Sequence, residues 1–351
     1  MAVEPNSYLS LIDVATRVGD NGQALEITNL LSQNNEMLDD LLFTPSNGNM
    51  SHTFALRSSL PSATWRNFYQ GVSSSKSTVT KATAAMGNLQ ALSIVDKELA
   101  DLSGNASTFR IQEDMAHIEA MSQEMASAFI YGNAGGAAEG APVTPEGFNG
   151  LAAHYSSVST GNQSVNVIDA GGTGSDLTSV YVVCWGPTTA HAIFPKESAA
   201  GLQVEDVTPQ GAMFYDPQSG GSYQAYQTKY RWMTGLVVRD WRYIVRIANV
   251  NPASPPDLLT LLTKAVYKIP TMPRTASPIQ DATKSSGIPL SFGRPAIYCN
   301  RTIATALDLE AQTKTNLRLT YSEADGRPLL KFRGIPIRNV DAIVNSETQV
   351  V

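Results

Sequence analysis

A polar and basic stretch in the first third of the chain constrains the fold most strongly. No acidic residue lies between Asp40 and Asp96, whereas serine, threonine, asparagine and glycine are abundant there. The lysine and arginine residues of this interval are Arg57, Arg66, Lys76 and Lys81. So few apolar side chains cannot offset the entropy that is lost when the stretch becomes ordered by itself. The sequence therefore predicts a subunit that its neighbours complete.

The middle of this stretch carries aromatic residues that nothing nearby in the sequence can cover. Ser51–Ser58 and Thr64–Gln70 are predicted to form two extended legs around a turn at Leu60–Pro61, because proline and small polar residues favour turns. The aromatic residues are Trp65, Phe68 and Tyr69. Two interpretations stay open: these rings pack on the core of their own chain, or they anchor the stretch on another subunit.

A long acidic helix is predicted further along the chain. Thr108–Tyr131 would be about 36 Å long at 1.5 Å per residue, and Gly132 stands where a helix commonly ends. Apolar residues recur every three or four positions, which predicts one buried stripe. The stripe residues are Ile111, Met115, Ile118, either Met121 or Ser122, Met125 and Phe129. Four acids outnumber Arg110 on the remaining surface, namely Glu113, Asp114, Glu119 and Glu124.

Hydrophobic periodicity predicts both helices and strands in the rest of the chain. The helices are predicted at Tyr8–Val18, Ala24–Phe43, Gln90–Leu102, Pro252–Lys268 and Thr302–Thr313. The strands are predicted at Val180–Trp185, Gly235–Val250, Leu317–Tyr321 and Leu329–Ile337, with a turn at Asp325–Gly326 between the last two. Because Val180–Trp185 is apolar throughout, it is predicted to be buried on both faces.

Composition restricts the class of protein. A chain of 351 residues can build roughly two domains. The formal net charge of −6 argues against a general nucleic-acid binder, which is usually basic. Cys184 and Cys299 both lie in apolar runs and are predicted to be buried free thiols. Because neither a signal peptide nor a membrane-spanning run is recognisable, we expect a protein that stays in a cytoplasm without membrane contact.

None of the familiar catalytic or cofactor-binding motifs is present in the sequence. There is no nucleophile elbow and no phosphate-binding loop, and Gly171–Gly174 lacks the third glycine of a dinucleotide loop. His117–Glu119 matches half of a zinc-deaminase signature, but no Cys-x-x-Cys pair accompanies it. The four histidines occur singly, without the spacing of metal ligands. We therefore expect no enzyme activity, no cofactor and no metal site.

Nine short segments, in order along nearly the whole chain, carry a family resemblance. They are Leu60–Pro61, Thr64–Arg66, Val72, Ser74–Ser77, Phe129–Asn133, Phe148–Leu151, Tyr181–Gly186, Gly235–Arg242 and Phe332–Ile343. Each is weak alone, and the series is fairly specific. Together they resemble the major capsid proteins of tailed bacteriophages, which have the Hong Kong 97-type fold. The resemblance is closest to the group typified by short-tailed Bordetella phages.

The resemblance implies an α+β chain with the Hong Kong 97-type capsid fold. Residues 1–45 would form the N-terminal arm, residues 46–83 the extended loop, residues 84–295 mainly the peripheral domain, and residues 296–351 mainly the axial domain. Residues 108–131 would be the spine helix of the peripheral domain, whose long sheet would include Gly235–Val250. In the commoner chain order of this fold, the long peripheral strand follows the axial helix. Here it precedes that helix, so the strand order could be rearranged.

The resemblance also implies a function and a set of partners. The chain would assemble as hexamers and pentamers into the icosahedral shell that encloses the double-stranded DNA genome of a phage. The alternative is the shell protein of an encapsulin-like bacterial compartment. Its partners would be itself, scaffolding and portal proteins, and an external cement protein, and DNA would be enclosed without sequence-specific binding. The protein would be assembled in the host bacterial cytoplasm and would reside in the virion capsid.

Charge complementarity predicts where the subunits touch. We hypothesise that the basic extended loop lies over the acidic spine helix of a neighbouring subunit. The predicted contact residues are Arg57, Trp65, Arg66, Lys76 and Lys81 on the loop, and Glu113, Asp114, Glu119 and Glu124 on the helix. Residues 1–44 carry seven acids against Arg17, so packaged DNA would repel them. We expect this segment to pack beneath its own or a neighbouring subunit, or to contact scaffolding. A covalent cross-link between a loop lysine and a neighbour's asparagine is not predicted, because no catalytic acid for it is identifiable.

Overall fold

The computed structural model describes residues 31–102, 105–135, 143–208, 213–215, 221–270, 293–313, 319–324 and 327–351. The predicted helix Tyr8–Val18, the first part of the predicted helix Ala24–Phe43, and the predicted turn at Asp325–Gly326 lie outside these residues. The helices of the described part are α1 (Met37–Asp40), α2 (Lys97–Leu102), α3 (Ala106–Tyr131), α4 (Leu151–His154), α5 (Leu258–Lys268) and α6 (Arg301–Thr313). Two 3-10 turns cover Asn162–Asn166 and Trp241–Tyr243.

Thirteen of the fifteen strands in the described residues belong to one large sheet. The fifteen strands are β1 (Phe43–Pro45), β2 (Ser51–Ser59), β3 (Thr78–Ala85), β4 (Gly87–Asp96), β5 (Val167–Asp169), β6 (Thr178–Trp185), β7 (Ala190–Phe194), β8 (Gln203–Asp206), β9 (Met213–Tyr215), β10 (Ser222–Val238), β11 (Ile244–Val250), β12 (Arg294–Cys299), β13 (Leu319–Ala324), β14 (Arg327–Phe332) and β15 (Ile335–Asn339). The main path of the sheet is β13–β14–β15–β12–β6–β7–β10–β4. Strands β2 and β3 form a separate antiparallel hairpin.

The core is built on both faces of β6. Every residue of this strand is buried, and β11 and β12 pair with it as antiparallel neighbours. Tyr181 and Trp185 face a cluster that includes the C-terminal half of α3, whereas Val182 and Cys184 face a second cluster with α5 and α6. The predicted burial of Val180–Trp185 on both faces is confirmed.

The long helix α3 confirms the predicted helix Thr108–Tyr131 and has 26 residues. Asn105 caps it, because its side-chain oxygen accepts the backbone N–H of Thr108 at 3.3 Å. Gly132 follows the last helical residue without a left-handed conformation. A Cβ atom at Gly132 would lie 2.4 Å from the carbonyl oxygens of both Ala128 and Phe148. Glycine is therefore required there by close backbone approach rather than by a left-handed cap.

The predicted helix Gln90–Leu102 is wrong over its first part. Residues Gly87–Asp96 form β4, which pairs antiparallel with β10 along its whole length. Helical conformation begins only at Lys97, with α2. The reason is tertiary: pairing with a long neighbouring strand outweighs the helical preference of a Leu- and Ala-containing segment.

The predicted strand Gly235–Val250 is wrong as a single element. Strand β10 ends at Val238 and β11 begins at Ile244, with a 3-10 turn between them. The Asp240 carboxylate accepts hydrogen bonds from the backbone N–H of Arg242 at 3.1 Å and from the Arg242 guanidinium at 2.7 Å. These two hydrogen bonds stabilise the turn. The predicted alternation of faces therefore does not run through the whole segment.

The extended loop also differs from its predicted pairing. Strand β2 confirms the predicted leg Ser51–Ser58, but the predicted second leg Thr64–Gln70 is wrong, because β2 pairs instead with β3. Near the C-terminus, the predicted strand Leu329–Ile337 divides into β14 and β15. Arg333 and Gly334 have positive φ angles of 51° and 83° at that division, which makes a tight turn.

The remaining predicted elements are found with shifted ends. Pro252–Lys268 and Thr302–Thr313 correspond to α5 and α6, and Leu317–Tyr321 corresponds to β13. The prediction for Ala24–Phe43 is wrong in its described part, where only the four residues of α1 are helical. The chain then enters β1, which pairs parallel with β7 and adds the N-terminal segment to the sheet.

Candidate subunit-contact surfaces

The extended loop is attached to the body only at its root. Phe54 of β2 and Met86, just past β3, are buried against Ile193 of β7 and Val237 of β10. Outward from this contact, most residues of β2 and β3 are exposed. The root thus gives the hairpin a fixed origin on the sheet, while its length projects from the body.

The outer end of the hairpin, residues 60–77, is named the loop tip here. Trp65, Phe68 and Tyr69 are almost completely exposed within it, and Leu60 and Val72 are exposed as well. The interpretation that these aromatic rings pack on the core of their own chain is therefore wrong within the described residues. A group of large apolar side chains in water is typical of an interaction surface.

The basic residues predicted to make subunit contacts all lie exposed on the hairpin. Arg57 and Lys81 belong to β2 and β3, and Arg66 and Lys76 belong to the loop tip. Arg66 donates a hydrogen bond to the carbonyl oxygen of Gln70 at 3.2 Å. Among the ion pairs of the described residues, none includes any of the four. The loop therefore presents positive charge that no ion pair within the described residues neutralises.

The acids predicted to receive this loop lie on different sides of α3. Asp114 lies beside Tyr230 of β10, where burial and this carboxylate raise the pKa of the tyrosine. Glu119 accepts the backbone N–H of Gln33 at 3.1 Å and the side-chain amide of Gln123 at 2.8 Å. These two acids therefore have neighbours within their own chain.

The other two predicted acids lie elsewhere on the helix. Glu124 lines a cavity of about 330 Å³ that the C-terminal residues also border. Glu113 is half-buried near the N-terminal end of the helix. Arg110 is paired with Asp206 at 2.9 Å, and hydrogen bonds from Thr208 and this arginine lower the pKa of Asp206 to about 2. The structure thus does not bring the four predicted acids into one patch.

The predicted buried stripe of α3 is correct only for its C-terminal half. Met121, Met125 and Phe129 are buried, whereas the first three stripe residues are exposed. The N-terminal half of the helix rests on the sheet through another face, with Phe109 buried beside Val95. The prediction failed because the helix changes the face that it buries along its length.

Two histidines meet where the loop root joins the body. The rings of His52 and His191 lie 6.0 Å apart in an edge-on arrangement, and the Arg239 guanidinium is close by, over the Phe54 ring. Burial, Arg239 and His52 lower the pKa of His191 to about 4, and burial and Arg239 lower the pKa of His52. The root is therefore assembled with neutral imidazoles.

A buried ion pair fastens the C-terminal segment to the sheet. Arg246 of β11 and Glu347 approach to 2.9 Å with side chains that are 5% and 6% exposed. Arg246 also donates to Ser179 and to the carbonyl oxygen of Tyr155, and Tyr131 donates to Glu347 at 2.6 Å. The sequence pattern did not predict this cluster. An arginine within an apolar strand was the available signal, because such a charge requires a partner.

A second polar cluster joins α1 to the middle of the sheet. Tyr298 of β12 accepts the indole N–H of Trp185 at 2.7 Å and donates to Asp40 at 3.0 Å. Arg338 pairs with both Asp40 and Glu36 at 3.3 Å. Burial raises the pKa of Asp40, and Arg338 opposes this effect. Residues far apart in the chain thereby hold the N-terminal segment in place, which the sequence did not reveal.

The remaining predicted features concern thiols, metals and membranes. Cys184 and Cys299 are buried thiols outside any disulfide, as predicted, and burial raises the pKa of each thiol to about 12. No cluster of His, Cys, Asp and Glu suited to a metal ion occurs in the described residues. Within the same residues, no helix has both the length and the apolar character to cross a membrane.

The sheet, the long helix and the projecting hairpin together define the class of protein, a phage capsid subunit. A solved structure of bacteriophage Epsilon15 is 30% identical and has a TM-score of 0.71, covering 100% of this chain and 99% of its own. A chain of the bacteriophage JBD30 capsid is 12% identical with a TM-score of 0.48, covering 89% of this chain and 92% of its own. An encapsulin complex from Synechococcus elongatus is 10% identical with a TM-score of 0.44, covering 69% of this chain and 96% of its own.

A family model described as major capsid protein GP7 matches residues 19–351. The chain therefore belongs to the GP7 major capsid protein family. This family consists of structural proteins of the virion, and it is not an enzyme class. No curated protein sequence matches the chain.

Proposed function

We propose that this capsid protein assembles as hexamers and pentamers into a closed icosahedral shell around the double-stranded DNA of a tailed phage. The observation that carries the proposal is the exposed loop tip. Trp65, Phe68 and Tyr69 are almost completely in solvent on a hairpin whose root is firmly buried. Such anchors stabilise a protein only when another molecule covers them.

Repeated contacts of this kind suit a shell. The surface of the loop differs from the surface that it would meet, so the contact is heterologous and closes only as a ring. Arg57, Arg66, Lys76 and Lys81 give the loop positive charge, while the helix α3 carries a surplus of acids. Opposite charges favour correct pairing and register. We propose that the loop lies over the spine helix of the next subunit, where Glu124 is the exposed one of the four predicted acids.

The remaining predictions about organisation stay proposals. We propose the limits 1–45, 46–83, 84–295 and 296–351 for the N-terminal arm, extended loop, peripheral domain and axial domain, together with a rearranged strand order. Scaffolding and portal proteins and an external cement protein are proposed partners, and DNA would be enclosed without sequence recognition. Assembly would take place in the host bacterial cytoplasm. The resemblance to the Bordetella-phage group also stays a prediction.

Reversing two loop charges tests the proposed contact. The double variant Arg57→Glu/Arg66→Glu should fold but should not form shells, because the loop would then repel the acidic helix. Electron microscopy and size-exclusion chromatography of the purified protein measure both properties. The matched control Lys264→Glu/Arg294→Glu reverses two exposed basic residues outside the loop and should still form shells. Normal particles from the loop variant would contradict the charge contact.

The contents of native particles separate the two shell functions. Particles that protect double-stranded DNA from nuclease would support a virion, whereas shells that contain a cargo protein without DNA would support the encapsulin-like alternative. A small monodisperse species under all assembly conditions would contradict both. A monomer-sized band after boiling in denaturant would agree with the absence of a covalent cross-link.

A further inference from the structure

A cavity of about 330 Å³ lies between the C-terminal half of α3 and the C-terminal segment, and it is named the α3 cavity here. Glu124, Ser127 and Tyr131 of α3 line it, together with Ser346 and Thr348 of the C-terminal segment. Small-ligand sites in proteins commonly have volumes of about 300–1,000 Å³. Because a liquid water molecule occupies about 30 Å³, the α3 cavity has room for a ligand of roughly ten non-hydrogen atoms.

The positive charge that borders the α3 cavity is already neutralised. Arg246 and Glu347 both line the cavity, and they pair with each other at 2.9 Å. The guanidinium also donates hydrogen bonds to two oxygen atoms of neighbouring residues. Tyr131 donates to Glu347 and accepts the backbone N–H of Val344 at 3.1 Å. An anionic ligand would have to compete with Glu347 for its buried partner, which makes an anion an unfavourable occupant.

The side chains that remain available at the α3 cavity are acceptors of hydrogen bonds. The carboxylate of Glu124 is exposed, and among the described residues it makes no ion pair and no hydrogen bond. The hydroxyl groups of Ser127, Ser156, Ser346 and Thr348 also line the cavity without a hydrogen-bond partner in the described part of the chain. Two carboxylates against one guanidinium leave the lining with one net negative charge. These features favour a cation that carries several N–H groups.

We propose that the α3 cavity binds a short aliphatic polyamine. One ammonium group would pair with Glu124 through charge-assisted hydrogen bonds, which are the strong ones in proteins. The other amino groups would donate to the serine and threonine hydroxyls. Ala128, Ala152 and Val350 also line the cavity and offer apolar contacts to the methylene groups between the nitrogens. Spermidine is a polyamine of the size that the volume allows.

This binding site goes beyond the proposed shell function and is compatible with the proposed loop contact. An ionised carboxylate has about four acceptor positions, so Glu124 can bind an ammonium group in the cavity and a basic side chain over the helix at the same time. DNA gathers small cations around its phosphates. Under the proposed function, polyamines would therefore be concentrated beside the subunit, and only this point rests on that function.

Titration calorimetry of spermidine into the purified, unassembled full-length protein tests the site. We expect one spermidine per subunit at low ionic strength. Glu124→Gln keeps the shape of the side chain and removes its charge, so the affinity should fall at least about tenfold. Glu98→Gln removes an exposed acid of α2 outside the cavity and should leave the affinity unchanged. Equal weakening by the two substitutions would overturn the proposal, because it would reveal an effect of net charge alone.

A second variant tests the cavity without changing its charge. Ser127→Leu places a larger side chain on the lining of the cavity and should abolish spermidine binding. Ser122→Leu makes the same change at a half-buried serine of α3 that does not line the cavity, and it should preserve binding. Thermal unfolding shows whether both variants are folded. Unchanged spermidine binding by the folded Ser127→Leu variant would overturn the proposal.

Competition with magnesium separates a specific site from loose counterion binding. Mg²⁺ requires nearly octahedral oxygen ligands and retains several water molecules, so at equal concentration of charge it should leave most of the spermidine bound. Complete displacement would mean an adventitious ion only and would overturn the site. If the unmodified subunit bound no spermidine, the site would be refuted while the shell function stood. Failure of the unmodified protein to form shells would instead remove the proposed function and leave the binding result intact.

Discussion

The hairpin of β2 and β3 and the central strand β6 use the same backbone conformation in opposite environments. All eight residues of β6 are buried between two apolar clusters. Most of the hairpin is exposed, and its tip carries aromatic rings into solvent. Strand β6 therefore stabilises the isolated subunit, whereas the hairpin beyond its root adds little to the core of the described residues. Under the proposed function, a neighbouring subunit supplies its further contacts. Exposed aromatic residues of this kind are therefore expected to affect assembly more than the stability of the isolated subunit.

Identical substitutions in the core cluster beside β6 and in the loop tip should separate these roles. Phe129→Ala removes a fully buried ring from the core cluster and should lower the free energy of unfolding by about 3–5 kcal/mol. Phe68→Ala removes a ring that is 91% exposed and should change the free energy of unfolding by less than about 0.5 kcal/mol. Denaturant unfolding of the unassembled subunit measures both. Similar losses for the two variants would contradict the comparison, because they would place Phe68 in a core.

The buried ion pair offers a second way to sharpen the contrast. Glu347→Ala leaves Arg246 buried without its carboxylate, so we expect a loss of about 3–5 kcal/mol. Asp206→Ala breaks the pair with Arg110 at the surface and should cost about 1 kcal/mol or less. Thermal unfolding at neutral pH compares the two. If the variants were equally stable, Arg246 would have to reach water or another partner.

Acidic pH should destabilise the loop root through protonation of His191. The folded state holds the pKa of His191 at about 4, below its ordinary value of 6.5, so the unfolded chain binds a proton more readily. The stabilising effect of the neutral ring is complete above pH 6.5 and is lost as the pH falls from there towards 4. At pH 5 the free energy of unfolding is expected to be about 2 kcal/mol lower through this group.

Unfolding at pH 7 and pH 5 tests this dependence. His191→Gln removes the titrating ring, so the variant should lose less stability between the two pH values than the unmodified protein does. The substitution His117→Gln, at a half-exposed histidine on α3, serves as the control and should keep the dependence. An unchanged pH dependence in the His191→Gln variant would assign the effect to another group.

Local patterns predicted the elements whose sequence pattern is uninterrupted. The helix Thr108–Tyr131 was correct because apolar residues recur every three or four positions along it, and the doubly buried strand Val180–Trp185 was correct because it is apolar throughout. The helix at Gln90 was wrong because a partner strand distant in sequence decides the conformation of β4. The strand through Asp240 was wrong because a side-chain hydrogen bond turns the chain there.

The candidate contact surfaces also include features that the sequence predicted and features that only the tertiary structure decided. Composition alone indicated that the basic loop lacks a core of its own, because too few apolar residues lie between Asp40 and Asp96 to bury it. The sequence pattern could not separate the exposed N-terminal half of the apolar stripe on α3 from its buried C-terminal half, since both share one apolar period. Only the packed structure decides which half meets the core, because burial depends on residues that come together from distant parts of the chain. The same holds for the ion pair between Arg246 and Glu347, which lie 101 positions apart in the sequence.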